Sequence, residues 1–257
     1  ANRANASPGK RFRTIAFNVH RCEGTVPRFL QAKKARAPAC VGKKFADALA
    51  SLAPDLVTFA EAPDEALCRI IADRLKMSCV YFPSRSAYPG VLLSTWRITE
   101  SQDRAKQAPA GLFSRHWGSA ILRDGTRAVI VHSAHLHPNH RSKRRREIEI
   151  LSQAIQPELA GGKMVLAQGD FNHSPRATEY REWIRRGLID AFDAKGIGAG
   201  ETFPSIQPVM RIDYVFVSPS LAPRLRLART LSDSPFRRQF PQACLSDHLP
   251  AAAEFEF

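Results

Sequence analysis

Short apolar runs, several of them alternating with polar residues, recur along the whole chain. Runs of this kind, bounded by turn residues, are typical of β-strands. They predict strands at residues 12–19, 56–60, 79–82, 91–94, 117–122, 128–134, 164–167, 212–217 and 249–257. Four other segments repeat apolar residues at helical spacing, which predicts helices at 43–52, 66–75, 145–155 and 177–186.

The Asp124-Gly125 turn separates two of the predicted strands and is typical of a β-hairpin. A hairpin requires antiparallel pairing, so a simple doubly wound parallel sheet does not fit. The pattern favours an α+β fold, a four-layer α/β sandwich of two packed mixed β-sheets flanked by helices. Candidate functional residues are spread from Asn18 to His248, so we expect a single domain over 11–257 after a flexible leader at 1–10.

The charge of the chain is strongly positive. Its 38 lysines and arginines exceed its 24 aspartates and glutamates, which gives a formal net charge of +14. Such a surface attracts polyanions, so nucleic acid is the first expected partner and an anionic membrane surface the second. Solubility alone would explain scattered charge, but five basic residues are clustered at Arg141, Lys143, Arg144, Arg145 and Arg146. No apolar stretch approaches the roughly 20 residues that cross a bilayer.

Five cysteines show no metal-type spacing, so a structural zinc site is not expected. Two disulfides are compatible with their positions, Cys22 with Cys40 and Cys68 with Cys79. Such bonds persist outside the reducing cytosol, which favours a secreted or periplasmic protein and leaves a cytoplasmic one as the alternative. We expect a monomer.

Carboxylates and amides stand at the ends of several predicted strands. In Gly169-Asp170-Phe171-Asn172, alternation along an extended segment would turn the side chains of Asp170 and Asn172 the same way, toward one phosphate or one attacking water. An Asx turn at the end of the strand is the structural alternative. Glu61 follows an apolar strand directly and, taken alone, would be an ordinary solvated carboxylate.

Asp213 stands in an apolar run, Ile212-Asp213-Tyr214, so its carboxylate needs a specific partner. His248 is the natural partner, because a carboxylate that accepts a hydrogen bond from one ring nitrogen fixes the tautomer of a general base. Asp247 would then be free to bind a hard divalent cation. His135 ends the predicted strand at 128–134 and would neutralise charge on a phosphate.

Together these residues resemble the endonuclease/exonuclease/phosphatase superfamily, which includes DNase-I-like enzymes. The resemblance extends from Ile15-Ala16-Phe17-Asn18 to Ser246-Asp247-His248. It implies roles for eight residues: Asn18, Glu61 and Asp247 at a Mg²⁺ site that Mn²⁺ or Ca²⁺ would also fit, and His135, Asp170, Asn172, Asp213 and His248 in catalysis. Arg115 would contact phosphate, and we add Arg144 and Arg145 from the basic cluster as substrate-binding residues.

The expected function is divalent-metal-dependent hydrolysis of nucleic acid, as a sequence-tolerant deoxyribonuclease with His248 as general base and Glu61-bound Mg²⁺. DNA would be held through its backbone phosphates. Hydrolysis of phospholipid or inositol phosphate, as by a sphingomyelinase, is one alternative. A non-catalytic polyanion-binding protein is another. The usual Leu-Gln-Glu of the family is Phe59-Ala60-Glu61 here, so the glutamine is lost while the acid remains.

Overall fold

The computed structural model describes residues 9–24, 38–237 and 244–257, with side chains from residue 41 onward in the second range. The expected leader at 1–10 therefore lies almost entirely outside the described residues. The strands are β1 (Arg11–Asn18), β2 (Leu56–Ala60), β3 (Ser78–Phe82), β4 (Gly90–Ser94), β5 (Arg97–Asp103), β6 (Trp117–Asp124), β7 (Arg127–His135), β8 (Val165–Asp170), β9 (Ile189–Asp190), β10 (Asp213–Val217), β11 (Leu225–Thr230) and β12 (Ala251–Glu256). The α-helices are α1 (Pro38–Ala50), α2 (Glu65–Leu75), α3 (Arg104–Gln107), α4 (Arg141–Ala160), α5 (Thr178–Arg185) and α6 (Ala191–Lys195).

The strands form two six-stranded sheets, in the orders β11-β12-β1-β2-β4-β3 and β5-β6-β7-β8-β10-β9. Strands β1 and β2 are parallel, as are β7 and β8, and the other neighbouring pairs are antiparallel. Both sheets are therefore mixed, and the predicted sandwich of two mixed sheets is confirmed. The hairpin at Asp124 is also present, with Asp124 paired to Arg127 across the turn.

Three apolar clusters hold the four layers together, because each sheet has two faces to bury. One cluster, which includes Phe12, Leu92 and Val131, fills the space between the sheets. A second packs α1 and α2 against the first sheet. A third, built around Phe171 and Trp183, packs α4 and α5 against the second sheet.

The sequence pattern missed strands β5, β9 and β11. Strand β5 (Arg97–Asp103) is mostly exposed, polar at six of its seven positions, and lies at the edge of its sheet. An edge strand needs no continuous apolar face, so its sequence lacks the alternation that marks a half-buried strand.

One disulfide expectation is wrong. Cys68 and Cys79 are free thiols in this structure, and so are Cys22 and Cys244. The side chain of Cys40, the expected partner of Cys22, lies outside the described residues. Burial raises the pKa of the Cys79 thiol to about 11, so this thiol stays protonated at neutral pH.

Strand ends from both sheets meet at one edge of the sandwich, which we call the catalytic edge because the residues predicted to act in catalysis lie there. Asn18 ends β1 beside Ala60, the last residue of the parallel strand β2. In the second sheet Asp170 ends β8 and is in register with both His135 of β7 and Asp213 of β10. Because the carboxyl ends of β1, β2, β7 and β8 coincide here, residues distant in sequence are brought together.

Candidate active site

A hydrogen bond joins the two sheets at the catalytic edge. The amide Nδ2 of Asn18 donates to Oδ2 of Asp170 over 3.0 Å, and both side chains are buried. The segment before β12 closes the same region, because the Ser246 hydroxyl donates to the Asn18 carbonyl over 2.6 Å. The first sheet, the second sheet and the C-terminal segment thus share one polar cluster.

Gly169 allows β8 to approach β7 closely enough to form this cluster. Its φ of +140° is strained for any residue with a side chain. A Cβ at this position would lie 2.0 Å from the Ala134 carbonyl oxygen. The glycine therefore places Asp170 directly beside His135.

His248 and Asp213 form a buried imidazole–carboxylate pair. The His248 Nδ1 to Asp213 Oδ2 distance is 2.8 Å, and the two residues are 5% and 2% exposed. Backbone amides of residues 212 and 213 donate to the hydroxyl of Thr202, which fixes the start of β10. The ring of Phe203 covers His248 with centroids 4.8 Å apart. The imidazole is therefore oriented by a charge on one side and by an aromatic ring on another.

The charges around His248 favour its protonated form. Burial alone would lower its pKa, but the carboxylates of Asp213, Asp170 and Asp247 outweigh burial and raise the pKa of His248 above its usual value. A general base must be neutral at the operating pH, so His248 can take up a proton only where its pKa is lowered, as the charge of a divalent cation bound nearby would do.

Asp170 is the point where the cluster converges. Its Oδ2 lies 3.5 Å from His135 Nε2 and 3.9 Å from His248 Nε2. Burial, with the nearby charge of Asp213, raises the pKa of the Asp170 carboxyl above its usual value. The 3.9 Å separation from His248 exceeds a hydrogen bond, so the two groups face each other without a direct bond.

Asn172 does not continue the extended strand. Its φ is +52°, and its backbone N–H donates to Asp170 Oδ1 over 3.0 Å, which is the Asx turn that was the structural alternative. Its side-chain amide donates to the Leu136 carbonyl over 2.9 Å. In this geometry Asn172 holds the segment that follows His135.

His135 is buried, and its environment favours the neutral form. Burial and the charge of Arg115 lower the pKa of His135 well below its usual value. Arg115 lies over the ring of Tyr88, with its guanidinium carbon 4.6 Å from the ring centroid, and Tyr88 also packs edge-on against His135 at 6.1 Å. Tyr88, which the sequence did not single out, thus connects Arg115 to His135.

The three predicted metal residues all lie at the catalytic edge. Asn18 uses its amide nitrogen on Asp170 and accepts a backbone N–H at Oδ1, where a second lone pair remains. Glu61 has a left-handed backbone with φ of +49° at the end of β2. Asp247 is 33% exposed at its side chain and lies near His20. Carboxylate and amide oxygens are the hard donors that Mg²⁺, Mn²⁺ and Ca²⁺ accept, so this set fits such an ion.

A second acid–histidine group lies beside these residues. Ligand atoms of Asp170, Asp213 and His248 lie within 4.8 Å of one another. Asp213 Oδ2 is already bonded to the His248 ring, so this group is better suited to proton transfer than to binding a cation.

The basic cluster divides into buried and exposed members. Arg144 is 8% exposed and donates to the carbonyls of His137 and Pro138, at 2.9 and 2.7 Å, and to Glu179 at 3.1 Å. Its guanidinium is therefore directed into the protein. Arg145 is exposed and faces a groove of about 460 Å³ between α4 and α5.

Glu147 is another residue near the catalytic edge that was not predicted from the sequence. It is fully buried and accepts the His137 backbone N–H at Oε2 over 2.7 Å. Burial raises the pKa of Glu147 to about 7, despite the hydrogen bond and the nearby arginines. The sequence could have indicated that Glu147 is buried, because it lies three residues after Arg144 and four before Leu151, on the inward face of the helix.

Gln168 was also missed, although it connects the two sheets behind the site. It is fully buried, accepts from the Thr14 hydroxyl over 2.7 Å and donates to the Thr58 hydroxyl over 2.9 Å. The sequence could have indicated its role, because Gln168 is a polar residue in a mostly apolar strand and directly precedes the Gly-Asp-Phe-Asn motif.

The fold and this edge of strand ends define a class, the phosphoester hydrolases built on a two-sheet sandwich. Residues 15–248 match the model of the Endonuclease/Exonuclease/phosphatase family, and the chain belongs to this family. None of the curated protein sequences matches it. Among the described residues, no helix is both long and apolar enough to cross a bilayer.

Several solved structures share the fold. An endonuclease/exonuclease/phosphatase family protein from Bacteroides thetaiotaomicron is 15% identical with a TM-score of 0.74, and the match covers 98% of this chain and 99% of that one. Truncated TDP2 from Caenorhabditis elegans is 18% identical with a TM-score of 0.72, covering 96% and 98%. A mannosyl-6-phosphatase from B. thetaiotaomicron is 15% identical with a TM-score of 0.70, covering 96% and 100%. At these identities the likeness shows the fold alone.

Proposed function

We propose that this protein is a divalent-metal-dependent phosphodiesterase that hydrolyses nucleic acid, acting as a deoxyribonuclease with little sequence preference. The observation that carries the proposal is the buried His248–Asp213 pair, joined over 2.8 Å, at the edge where the predicted metal residues also lie. A hydrolase that attacks phosphorus needs a base for water and positive charge for the phosphoryl oxygens, and this edge offers both.

His248 acts as the general base. Its Nε2 takes a proton from water, while Asp213 holds Nδ1 and stabilises the imidazolium that forms. Asp170 Oδ2, 3.9 Å from Nε2, faces the same space and orients the water. The water oxygen then bonds to phosphorus, and the P–O bond opposite breaks, so that the leaving oxygen departs with the electron pair.

Asn18, Glu61 and Asp247 would hold the divalent cation. A bound Mg²⁺ or Mn²⁺ supplies charge neutralisation to the phosphoryl group. Neutral His135, 3.5 Å from Asp170, and the cationic Arg115 would contribute donors to the same oxygens. Asn172 keeps the segment after His135 in place through the Leu136 carbonyl.

The first turns of α4 support nucleic acid as the substrate. Helix α4 begins six residues after His135, and Arg141, Lys143, Arg145 and Arg146 are exposed there. No acidic residue stands in its first turn. Positive side chains at the positive end of a helix dipole are unfavourable by about 0.3–1 kcal/mol each, a cost that bound phosphates would offset. Contacts of this kind do not read bases, which is why we expect little sequence preference.

Two alternatives remain, each tied to an observation. A phospholipid, inositol-phosphate or other sugar-phosphate hydrolase is compatible with the same edge, and a mannosyl-6-phosphatase is among the structures with this fold. A non-catalytic polyanion-binding protein would need only the basic surface, but it would not require a buried imidazole–carboxylate pair.

The test is a metal-dependent cleavage screen on supercoiled DNA, single-stranded DNA, RNA, phospholipid vesicles and mannose 6-phosphate. We expect EDTA-sensitive DNA cleavage whose rate at low substrate falls steeply with salt. Turnover confined to vesicles or to the sugar phosphate would replace the nucleic-acid assignment with the first alternative. DNA binding without metal-dependent turnover of any of the five would support the second.

A further inference from the structure

A short turn after β1 has an unusual backbone. His20, Arg21 and Cys22 have φ values of 45°, 52° and 59°, and none of them is glycine. Left-handed backbone costs about 1–2 kcal/mol for each residue with a side chain, so three in succession require specific support. Strain of this kind is concentrated at functional sites.

The support comes from the predicted metal residues themselves. The His20 backbone N–H donates to Oδ1 of Asn18 over 3.1 Å, and the Arg21 N–H donates to the Glu61 carbonyl over 2.8 Å. The Cys22 side chain is buried in the core below the turn. The turn is thus attached to two of the three residues that would hold the cation.

The ring of His20 faces Asp247, the third predicted metal residue. Its Nδ1 lies 4.0 Å from Oδ1 of Asp247, while the two side chains are 32% and 33% exposed. This Nδ1 is shielded from solvent and has no hydrogen-bond partner among the described residues. A nitrogen and a carboxylate therefore face each other across a gap that is too long for a hydrogen bond.

The gap is short enough for one divalent ion to bind both atoms. Two ligand atoms at about 2.0–2.2 Å from one ion lie at most about 4.4 Å apart. Imidazole nitrogen is a softer donor than carboxylate oxygen and suits first-row transition ions better than Mg²⁺. We propose that His20 Nδ1 is a ligand of the same cation as Asp247 and Glu61, and that it shifts the preference of the site from Mg²⁺ toward Mn²⁺.

This inference rests on the proposed metal dependence but not on the proposed substrate. It is tested on the full chain without substrate, using Mn²⁺ as the probe. Pulsed electron paramagnetic resonance detects nitrogen bound to Mn²⁺ as a ¹⁴N modulation, and a Mg²⁺ competition titration gives the Mn²⁺/Mg²⁺ affinity ratio. The variants are His20→Asp and His20→Asn, because Asp and Asn tolerate left-handed backbone and are expected to preserve the turn. The matched control is His140→Ala, an exposed histidine whose ring packs on His137.

We expect the ¹⁴N modulation in the wild type and in His140→Ala, and its loss in both His20 variants. The Mn²⁺/Mg²⁺ affinity ratio should fall at least about tenfold in His20→Asp, which restores a hard oxygen donor. An unchanged modulation and ratio in His20→Asp, with the thermal unfolding midpoint preserved, would overturn the inference, as would a wild type without ¹⁴N modulation. Metal binding with nitrogen coupling but no DNA cleavage would overturn only the proposed function.

Discussion

Two buried polar clusters lie near each other at the catalytic edge and differ in what their side chains bind. The catalytic cluster (Asn18, Asp170, Asp213 and His248) joins side chain to side chain across the two sheets. In the loop cluster (Arg144, Glu147 and Glu179), Arg144 and Glu147 bind the backbone of residues 137–138 instead, and Glu179 pairs with Arg144. Buried charged residues therefore have different roles in the two clusters, and the residue type alone does not tell which role a residue has. Charged groups bonded to backbone shape a loop, whereas groups that face one another across a gap, such as His248 and Asp170, are the ones to which we assign chemistry in the proposed function.

The largest effect expected is that of His248→Ala. The variant removes the base from a buried position and leaves Asp213 without its partner, and we predict a loss of about 10²–10⁴-fold in kcat with the fold intact. Steady-state kinetics on the substrate found by the screen, with circular dichroism as the check on folding, measures this. Turnover near the wild-type level would remove His248 from the mechanism.

Asp213→Asn is expected to have a smaller effect on the same cluster. The amide keeps the shape but no longer favours the required tautomer or the imidazolium, so we predict a loss of about 10–100-fold in kcat with KM little changed. Asp193→Asn, an exposed acid in α6, is the matched control and should leave kcat unchanged. A rise in KM at constant kcat would indicate a binding role for Asp213 instead.

A substitution in the loop cluster should lower the free energy of unfolding. Arg144→Ala leaves Glu179 buried and removes two bonds to loop carbonyls, so we predict a loss of about 2–4 kcal/mol in the free energy of unfolding. Arg145→Ala, the adjacent exposed position, should lose less than about 0.5 kcal/mol. Urea denaturation of the two variants compares them directly. Equal stabilities would mean that Arg144 is not the structural member of the basic cluster.

We expect the smallest effect from a substitution of Glu147, which should change how the free energy of unfolding depends on pH. Its pKa is raised to about 7 in the folded protein, against about 4.3 when unfolded, so the folded state holds a proton that the unfolded state has lost. The stabilisation by that proton is complete below about pH 4 and is lost as pH rises through 7. Glu147→Gln should therefore be more stable than wild type at pH 8 by about 1–3 kcal/mol and equal to it only below about pH 4.

The matched control for this prediction is Glu149→Gln, a partly exposed acid on the same helix that pairs with Arg146. It should leave the pH dependence of the unfolding free energy unchanged. The same slope between pH 5 and 8 in wild type and Glu147→Gln would contradict the raised pKa.

The sequence was sufficient for the fold wherever a strand or helix buries a face. Strands such as β2 and β4 are buried at every position and mostly apolar, and α4 was recognised from its apolar face, although it begins four residues earlier than predicted. Strand β5 (Arg97–Asp103) was missed because an exposed edge strand obeys no such pattern. Its position is decided by pairing with β6, which is a tertiary interaction.

The site was predictable where one motif fixes the chemistry, as with His248 and the acid in Ile212-Asp213-Tyr214. The basic run alone did not separate Arg144 from Arg145, because a run of basic residues says nothing about which one turns inward. Helical spacing to Ile148 and Leu151 contains that information. For His20 there was no signal, since its importance depends on a left-handed turn that no local sequence pattern marks.

The central claim is that His248 directs water onto phosphorus, and an isotope measurement tests it most directly. Single-turnover hydrolysis of DNA with Mg²⁺ in ¹⁸O-labelled water, analysed by mass spectrometry, locates the attacking oxygen. The account predicts one ¹⁸O in the product phosphate at a rate that falls at least about a hundredfold in His248→Ala. An unlabelled phosphate, or a labelled one formed equally fast by the variant, would contradict it.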